Sequence, residues 1–161
     1  MPTEEIVLRT ETPDDLEFAY RLYASARASE MARAPWTVEQ KDAFLRSQFD
    51  LQYTHYHKFY PTAAYQIVVA GGYDIGRVYV DRTRNEIRLL EITILPEYRR
   101  QGIGEKLVRA LMDEAASSDR KVALHVEMDN PARHLYERLG FRPVQDKGVY
   151  ILMEWSVTAA G

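Results

Sequence analysis

The chain has no cysteine. That absence removes disulfides, cysteine-based zinc sites and thiol nucleophiles together, and it fits a reducing compartment. An excess of one charge sign is also missing. Lys and Arg number 21 against 24 Asp and Glu, for a formal net charge of −3, so no electrostatic argument favours a nucleic-acid partner. No apolar run is long enough to cross a bilayer, and no basic-then-apolar leader opens the sequence. The expectation is a cytoplasmic protein with no membrane partner. Repeats and low-complexity blocks are absent too. What is there is ordinary globular material: 46% hydrophobic and 28% charged residues exclude a disordered chain. A length of 161 residues predicts one domain over 1–161, with 157–161 as a frayed tail.

Periodicity divides the chain. "EIVLRTET" reads as a strand. Thr12-Pro13-Asp14-Asp15 reads as a helix start with a capping box, and Leu16, Ala19, Tyr23 and Ala26 follow at helical spacing. "PWTVEQ" opens a second helix to about His57, with Thr37 as cap, Gln40 as its box partner, and Phe44, Leu45, Phe49 and Tyr56 as its apolar stripe. "YQIVVA" and "RVYVD" read as strands joined by a turn region, "GGYDIG". "EIRLLEITIL" is a long strand whose continuous apolar run predicts cover on both faces. A helix from Gly102 to about Ala116 buries Ile103, Leu107, Leu111 and Ala115. "KVALHVEM" is a strand, Asn130-Pro131 starts a helix that Gly140 ends, and two strands close the chain. The order β-α-α-β-β-β-α-β-α-β-β predicts an α/β domain with a mixed sheet of about seven strands and four helices.

One stretch carries chemistry beyond packing. In "PEYRRQGIGEKL" two arginines precede Gly102-Ile103-Gly104 at the start of a helix. The first-turn N–H groups of a helix lack intrahelical partners, the dipole is positive there, and glycine admits a close ligand. These properties suit a pyrophosphate, and Arg99 and Arg100 can add charge-assisted bonds. They equally suit a plain strand-to-helix turn with solvated arginines. The spacing excludes two named phosphate motifs. A dinucleotide fingerprint needs a third glycine where Leu107 stands, and no Gly-Lys-Ser/Thr occurs.

"ITILPEYRRQGIGEKLV" resembles the acetyl-CoA signature of the GNAT acetyltransferase superfamily, Arg/Gln-x-x-Gly-x-Gly/Ala, met here by Arg99, Gly102 and Gly104. "LHVEMDNPARHLYERLGF" resembles a second family segment, and the element order is similar to the whole fold. The resemblance implies a GNAT-like single domain with helices on both sheet faces, acetyl-CoA as acyl donor and no metal. Its pyrophosphate would meet the amides around Arg100, Gln101, Gly102, Ile103, Gly104 and Glu105. The strand at Ile92, Thr93 and Ile94 would bind the pantetheine arm, splaying from the "VALHVE" strand. Asn130 would touch the cofactor. The implied reaction is direct attack of a primary amine on the thioester. A non-catalytic acyl-CoA-binding regulatory module is the alternative.

In the family a tyrosine at the place of Tyr136 often protonates the departing thiolate, and a phenol of pKa ~10 is protonated at neutral pH. By spacing alone Tyr136 reads as a core partner of Ala132, Leu135 and Leu139. Glu91 is the first candidate for the base that takes the amine's proton, with Glu127 and His125 next; any of these can instead be simply a paired strand residue. His55 and His57 face different directions and do not suggest a metal site. The acceptor is a small-molecule or peptide amine. Of the aromatic residues between Trp36 and Tyr60, Trp36, Tyr53 and Tyr60 are the candidates for its pocket, and Arg33 or Arg46 for an acceptor carboxylate. Monomer and homodimer both remain open.

Overall fold

The computed structural model describes residues 5–157. Apart from Val157, the expected frayed tail lies outside the described residues. Seven strands form a mixed sheet: β1 (Ile6–Thr10), β2 (Ala64–Ala70), β3 (Tyr73–Arg82), β4 (Glu86–Ile94), β5 (Lys121–Glu127), β6 (Arg142–Asp146) and β7 (Tyr150–Trp155), in the order β1-β2-β3-β4-β5-β7-β6. The pairs β1–β2, β5–β7 and β6–β7 are antiparallel, and β4–β5 is parallel. The helices are α1 (Leu16–Ala26), α2 (Ala28–Ala32), α3 (Val38–Phe59), α4 (Ile103–Ser117) and α5 (Ala132–Arg138). The short α2, in a segment to which the sequence reading assigns no element, brings the described α-helices to five rather than four. The described residues fall into two compact units, 5–78 with 92–101 and 79–91 with 102–157, and both β3 and β4 contribute to each.

In the first unit, α1 and α3 pack an aromatic cluster. Tyr20 and Tyr23 each meet Phe49 edge-on at 5.7 Å, with Ala19 and Leu45 beside them. The capping box of α3 forms as its sequence predicts. The Thr37 hydroxyl accepts from the Gln40 N–H at 3.1 Å, and the Gln40 side chain accepts from the Thr37 N–H at 2.9 Å. The apolar stripes are rotated from the expected ones. Leu16, Ala26 and Phe44 are exposed, while Tyr20 and Leu22 are buried. Spacing fixes the width of a stripe but not which residues lie at its rim.

The segment "GGYDIG" is not all turn. Only Gly71 and Gly72 turn, both with positive φ, and the remainder opens β3. Gly76 lies within that strand because nothing larger fits. A Cβ there would stand 2.5 Å from the Thr93 carbonyl oxygen and 2.7 Å from the Ile94 side chain. The Leu95 N–H continues this close approach by donating to the Ile75 carbonyl at 2.8 Å.

In the second unit, α4 lies on β5. Ile103, Leu107, Leu111 and Ala115 are buried as the spacing predicts, and Val108 and Met112 widen the stripe. Gly140 follows α5 with φ 103°, a conformation that favours glycine. At the outer end of the sheet, β6 is exposed along its whole length, and its register shifts between Pro143 and Gln145. A proline and a bulge both discourage further pairing at an edge.

Electrostatics hold the start of α1. The guanidinium of Arg9 grips the buried Asp15 through two bonds, 2.8 and 2.9 Å, and also reaches Asp74 at 2.9 Å. Asp15 further accepts from the Thr12 N–H at 2.8 Å. The Arg9 bonds hold the Asp15 carboxyl at about 2, below its usual 3.8. Because the folded value is depressed, the stabilisation is present above pH 3.8 and lost as pH falls through about 2. The expected amount is roughly 2 kcal/mol. In urea unfolding, the wild type should therefore lose about that much more stability than Asp15→Asn over this acid range. Parallel stability curves for the two proteins would contradict the assignment.

Candidate functional site

The start of α4 differs from that of α3 in one respect: no side chain caps it. The chain reaches it through two left-handed residues, Arg100 (φ 64°) and Gly102 (φ 77°). For Arg100 that conformation costs about 1 kcal/mol. Left-handed residues of this kind are a common element of anion-binding backbone concavities. The first intrahelical bond runs from the Lys106 N–H to the Gly102 carbonyl at 3.0 Å. The N–H groups of Ile103, Gly104 and Glu105 lie ahead of it, where an α-helix has no internal acceptor.

Two further features suit an anion here. A Cβ at Gly104 would meet nothing within 4 Å, so packing within the chain does not require glycine at that position. The Glu105 carboxylate is drawn aside by Arg109 at 3.0 Å and Arg138 at 3.2 Å. The same partners, Arg109 foremost, lower its pKa. Its negative charge is thereby balanced rather than left facing the helix start.

Arg99 has a bracing position. Its Nε donates to the Ile94 carbonyl at 2.9 Å and its Nη2 to the Ser25 hydroxyl at 3.4 Å. The side chain expected at a phosphate thus ties the end of β4 to α1. Arg100 is exposed, and the Gln101 amide donates to the Glu97 carbonyl at 3.4 Å. Thr93 and Ile94 are buried and Ile92 is half-buried.

In the second unit, the parallel ladder of β4 with β5 ends at Leu89↔Leu124, although β5 continues to Glu127. Glu91 lies past the end of that ladder and is half-buried. Tyr136, on α5, is 6% exposed, with Phe141 against its ring at 5.7 Å. Its phenol is pushed up to about 12, chiefly by burial and further by the negative charge of Glu91. The two residues expected to carry proton transfer therefore sense one another. The core reading of Tyr136 holds as well, since its ring is buried. His125 has a different neighbour: Lys147 Nζ lies 3.1 Å from its Nε2. Burial first, then the Lys147 charge, lowers its pKa. Glu127 is half-buried at the end of β5. The Asn130 side-chain oxygen accepts from the Ala132 N–H at 2.9 Å and so caps α5.

The aromatic candidates do not form one wall. Trp36 precedes α3 and packs on Phe44 at 5.2 Å. Tyr53 lies in the second half of this 22-residue helix and Tyr60 just past its end, roughly 22 and 33 Å from its start at 1.5 Å per residue. Arg46 is paired with Glu17 at 2.7 Å, an ordinary surface contact. Tyr53 instead donates to Glu11 at 3.0 Å, and His57 stacks on Tyr65. Reasoning along the sequence does not find this group, because Glu11 and Tyr53 are 42 residues apart and no local motif joins them. Among the described residues, no group of His, Asp or Glu could hold a metal ion.

A family model described as the acetyltransferase (GNAT) family matches residues 18–141. The chain is 29% identical over 132 residues to a candidate ribosomal protein bS18-alanine N-acetyltransferase of Bacillus subtilis, covering 81% of this chain and 76% of that one. Among solved structures, the PaiA N-acetyltransferase of Thermoplasma acidophilum in complex with coenzyme A superposes with a TM-score of 0.69 at 19% identity, covering 94% and 99% of the two chains. The ribosomal-protein-S18-alanine N-acetyltransferase of Escherichia coli gives 0.63 at 22% identity, with 93% and 92% covered.

Gly104 separates packing from ligand approach. Gly104→Ala should hold or raise thermal stability, by up to about 1 kcal/mol from helix propensity. It should also weaken acetyl-CoA binding at least tenfold by calorimetry, because the methyl group stands where the backbone must be approached. Unchanged affinity would remove the helix start from the binding site.

Proposed function

The chain belongs to the acetyltransferase (GNAT) family, and from that premise we infer that it is an N-acetyltransferase using acetyl-CoA as donor and a primary amine as acceptor. The observation that carries this reading beyond family membership is the buried Tyr136 within the electrostatic reach of Glu91. The donor would supply an activated acetyl thioester. In the proposal, the N–H groups of Ile103, Gly104 and Glu105, with Arg100, Gln101 and Gly102, hold its pyrophosphate. Ile92, Thr93 and Ile94 hold its arm by backbone bonds. Arg99 keeps the end of that strand in place, and Asn130 completes the contacts while capping α5. The left-handed approach to α4 and the open space at Gly104 support the fit.

Glu91 would take a proton from the incoming ammonium, directly or through water, leaving the lone pair that attacks the carbonyl carbon. The C–N bond forms, the C–S bond breaks with the electron pair going to sulfur, and the surplus proton of the attacking nitrogen passes to that thiolate or to water. At about 12, Tyr136 is protonated at every physiological pH but is a weak acid. Giving its proton fully to a thiolate of pKa ~8.5 would be uphill by about 5 kcal/mol. Its role is therefore a hydrogen bond to the sulfur as charge appears, a stabilisation stronger in the transition state than in the ground state.

The Bacillus subtilis relative is named for an alanine of a ribosomal protein, which supports a polypeptide N-terminal amine as the acceptor class. A thiol-release assay with acetyl-CoA tests this. Peptides beginning with alanine should stimulate release above the rate with buffer alone, and the same peptides N-formylated should not. Coenzyme A binding without release on any amine would contradict the enzymatic reading.

Tyr136→Phe should lower kcat roughly 10- to 100-fold, the worth of one charge-assisted hydrogen bond, with acetyl-CoA affinity changed less than about twofold. Undiminished turnover would remove Tyr136 from the chemistry. Glu91→Gln should lower the rate and flatten the acid limb of the pH–rate profile. An unaltered profile would show that another group takes the proton.

A further inference from the structure

Lys147 is exposed in the turn between β6 and β7, and its Nζ lies 3.1 Å from Nε2 of His125. An ammonium only donates, so Nε2 accepts and the neutral ring carries its hydrogen on Nδ1. The turn braces the lysine at its backbone. The Lys147 N–H donates to the Tyr150 carbonyl at 2.8 Å, and the Gly148 N–H donates to the Asp146 carboxylate at 2.8 Å. Gly148 has φ 87°, which closes the turn. Four methylenes then give the amine reach from a fixed origin.

This contact falls at a particular point of the sheet. The parallel ladder of β4 with β5 ends at Leu89↔Leu124, so His125 is the first β5 residue beyond it. On its other side β5 stays paired with β7 as far as Glu127↔Tyr150. Past the ladder, His125 and Glu91 belong to the two strands that are no longer paired. In the reading above, the donor's arm enters between these strands.

The partner of Lys147 also differs in kind from that of Lys121. The Lys121 ammonium meets the Glu154 carboxylate at 2.8 Å, and an opposite charge favours the charged form. Lys147 meets a neutral base instead. Partial burial first, then the charges of Lys147 and Arg88, keep His125 neutral at pH 7, with Glu86 opposing them.

We propose that Lys147 is an internal acetyl acceptor, modified in cis, with His125 as the base that takes its proton. The proposal rests on the donor reading above. One proton leaves the ammonium for solvent and frees the lone pair. The neutral amine attacks the thioester carbonyl carbon. The C–N bond forms, and the C–S bond breaks with its electron pair going to sulfur. The attacking nitrogen becomes acidic as it bonds, and His125 takes its surplus proton, which then passes to the thiolate or to water. The products are an acetylated lysine and a thiol, and a positive charge is gone from beside β5.

Peptide mapping by mass spectrometry tests this on the full chain, given acetyl-CoA and no other amine. Lys147 should gain an acetyl group at least tenfold faster than Lys41, Lys58, Lys106 or Lys121, and in urea the difference should vanish. The fraction modified at a given time should not depend on protein concentration. His125→Asn should slow the reaction at Lys147 at least tenfold. It should also make the rise of rate with pH shallower in the acid range, where the wild type needs a free Nε2 as well as a neutral amine. Without any donor, Lys147→Gln should raise the pH at which the His125 ring titrates by nuclear magnetic resonance, because a nearby positive charge is removed. Uniform acetylation of the five lysines, a rate that scales with protein concentration, or an undiminished rate in folded His125→Asn overturns the proposal. So does a His125 titration indifferent to Lys147→Gln. An unmodified Lys147 overturns the internal acceptor as well. Thiol release on alanine peptides would then leave the donor reading standing, whereas absence of acetyl-CoA binding would remove both.

Discussion

The proposed donor site depends on three backbone N–H groups at the start of α4 that no side chain caps. At α3 the protein closes the helix start with reciprocal bonds between Thr37 and Gln40. At α4 it places a left-handed glycine at the capping position instead, and a strained left-handed arginine two residues earlier. Glycine in place of a side-chain cap costs roughly a few tenths of a kcal/mol, and the Arg100 conformation costs about 1 kcal/mol. Sites where such costs are kept are sites where the backbone has other work. The open space at Gly104 and the diversion of Glu105 to two arginines fit the same purpose.

Proton transfer rests on a second compromise. Burial holds Tyr136 neutral, and the negative charge of Glu91 reinforces this. The same two effects make the phenol a reluctant acid. In the proposed reaction such a group would serve better by directing a hydrogen bond at developing charge than by surrendering a proton, and Glu91 would be left to deal with the amine. The division follows from environment, because the two side chains in isolation would be matched differently.

Elements whose signals are local were legible in the sequence. The α3 capping box, the buried face of α4 and the glycine after α5 each depend on residues within a turn or two of one another. The glycine-rich turn into α4 was legible for the same reason. What the sequence concealed depends on distant neighbours. Gly76 reads as turn material, yet it is a strand residue forced to be small by the Thr93 carbonyl. Leu16 and Phe44 fit a buried stripe by spacing and lie at its rim. Arg99 reads as a phosphate ligand, and only the fold shows it holding the Ile94 carbonyl. Tyr53 reads as an acceptor-pocket candidate, and only the fold shows its partner, because Glu11 reaches it from β1's end across 42 positions. The proximity of Tyr136 to Glu91 was likewise invisible, as nothing in either segment encodes the other.

The central claim is that the start of α4 receives the anionic end of the donor. Amide chemical shifts on titration with coenzyme A test it most directly, since a hydrogen bond to phosphate moves an N–H proton strongly downfield. The account predicts large, saturable downfield shifts for Ile103, Gly104 and Glu105, with the capped first turn of α3 unmoved. Saturable binding that leaves those three amides in place would contradict it.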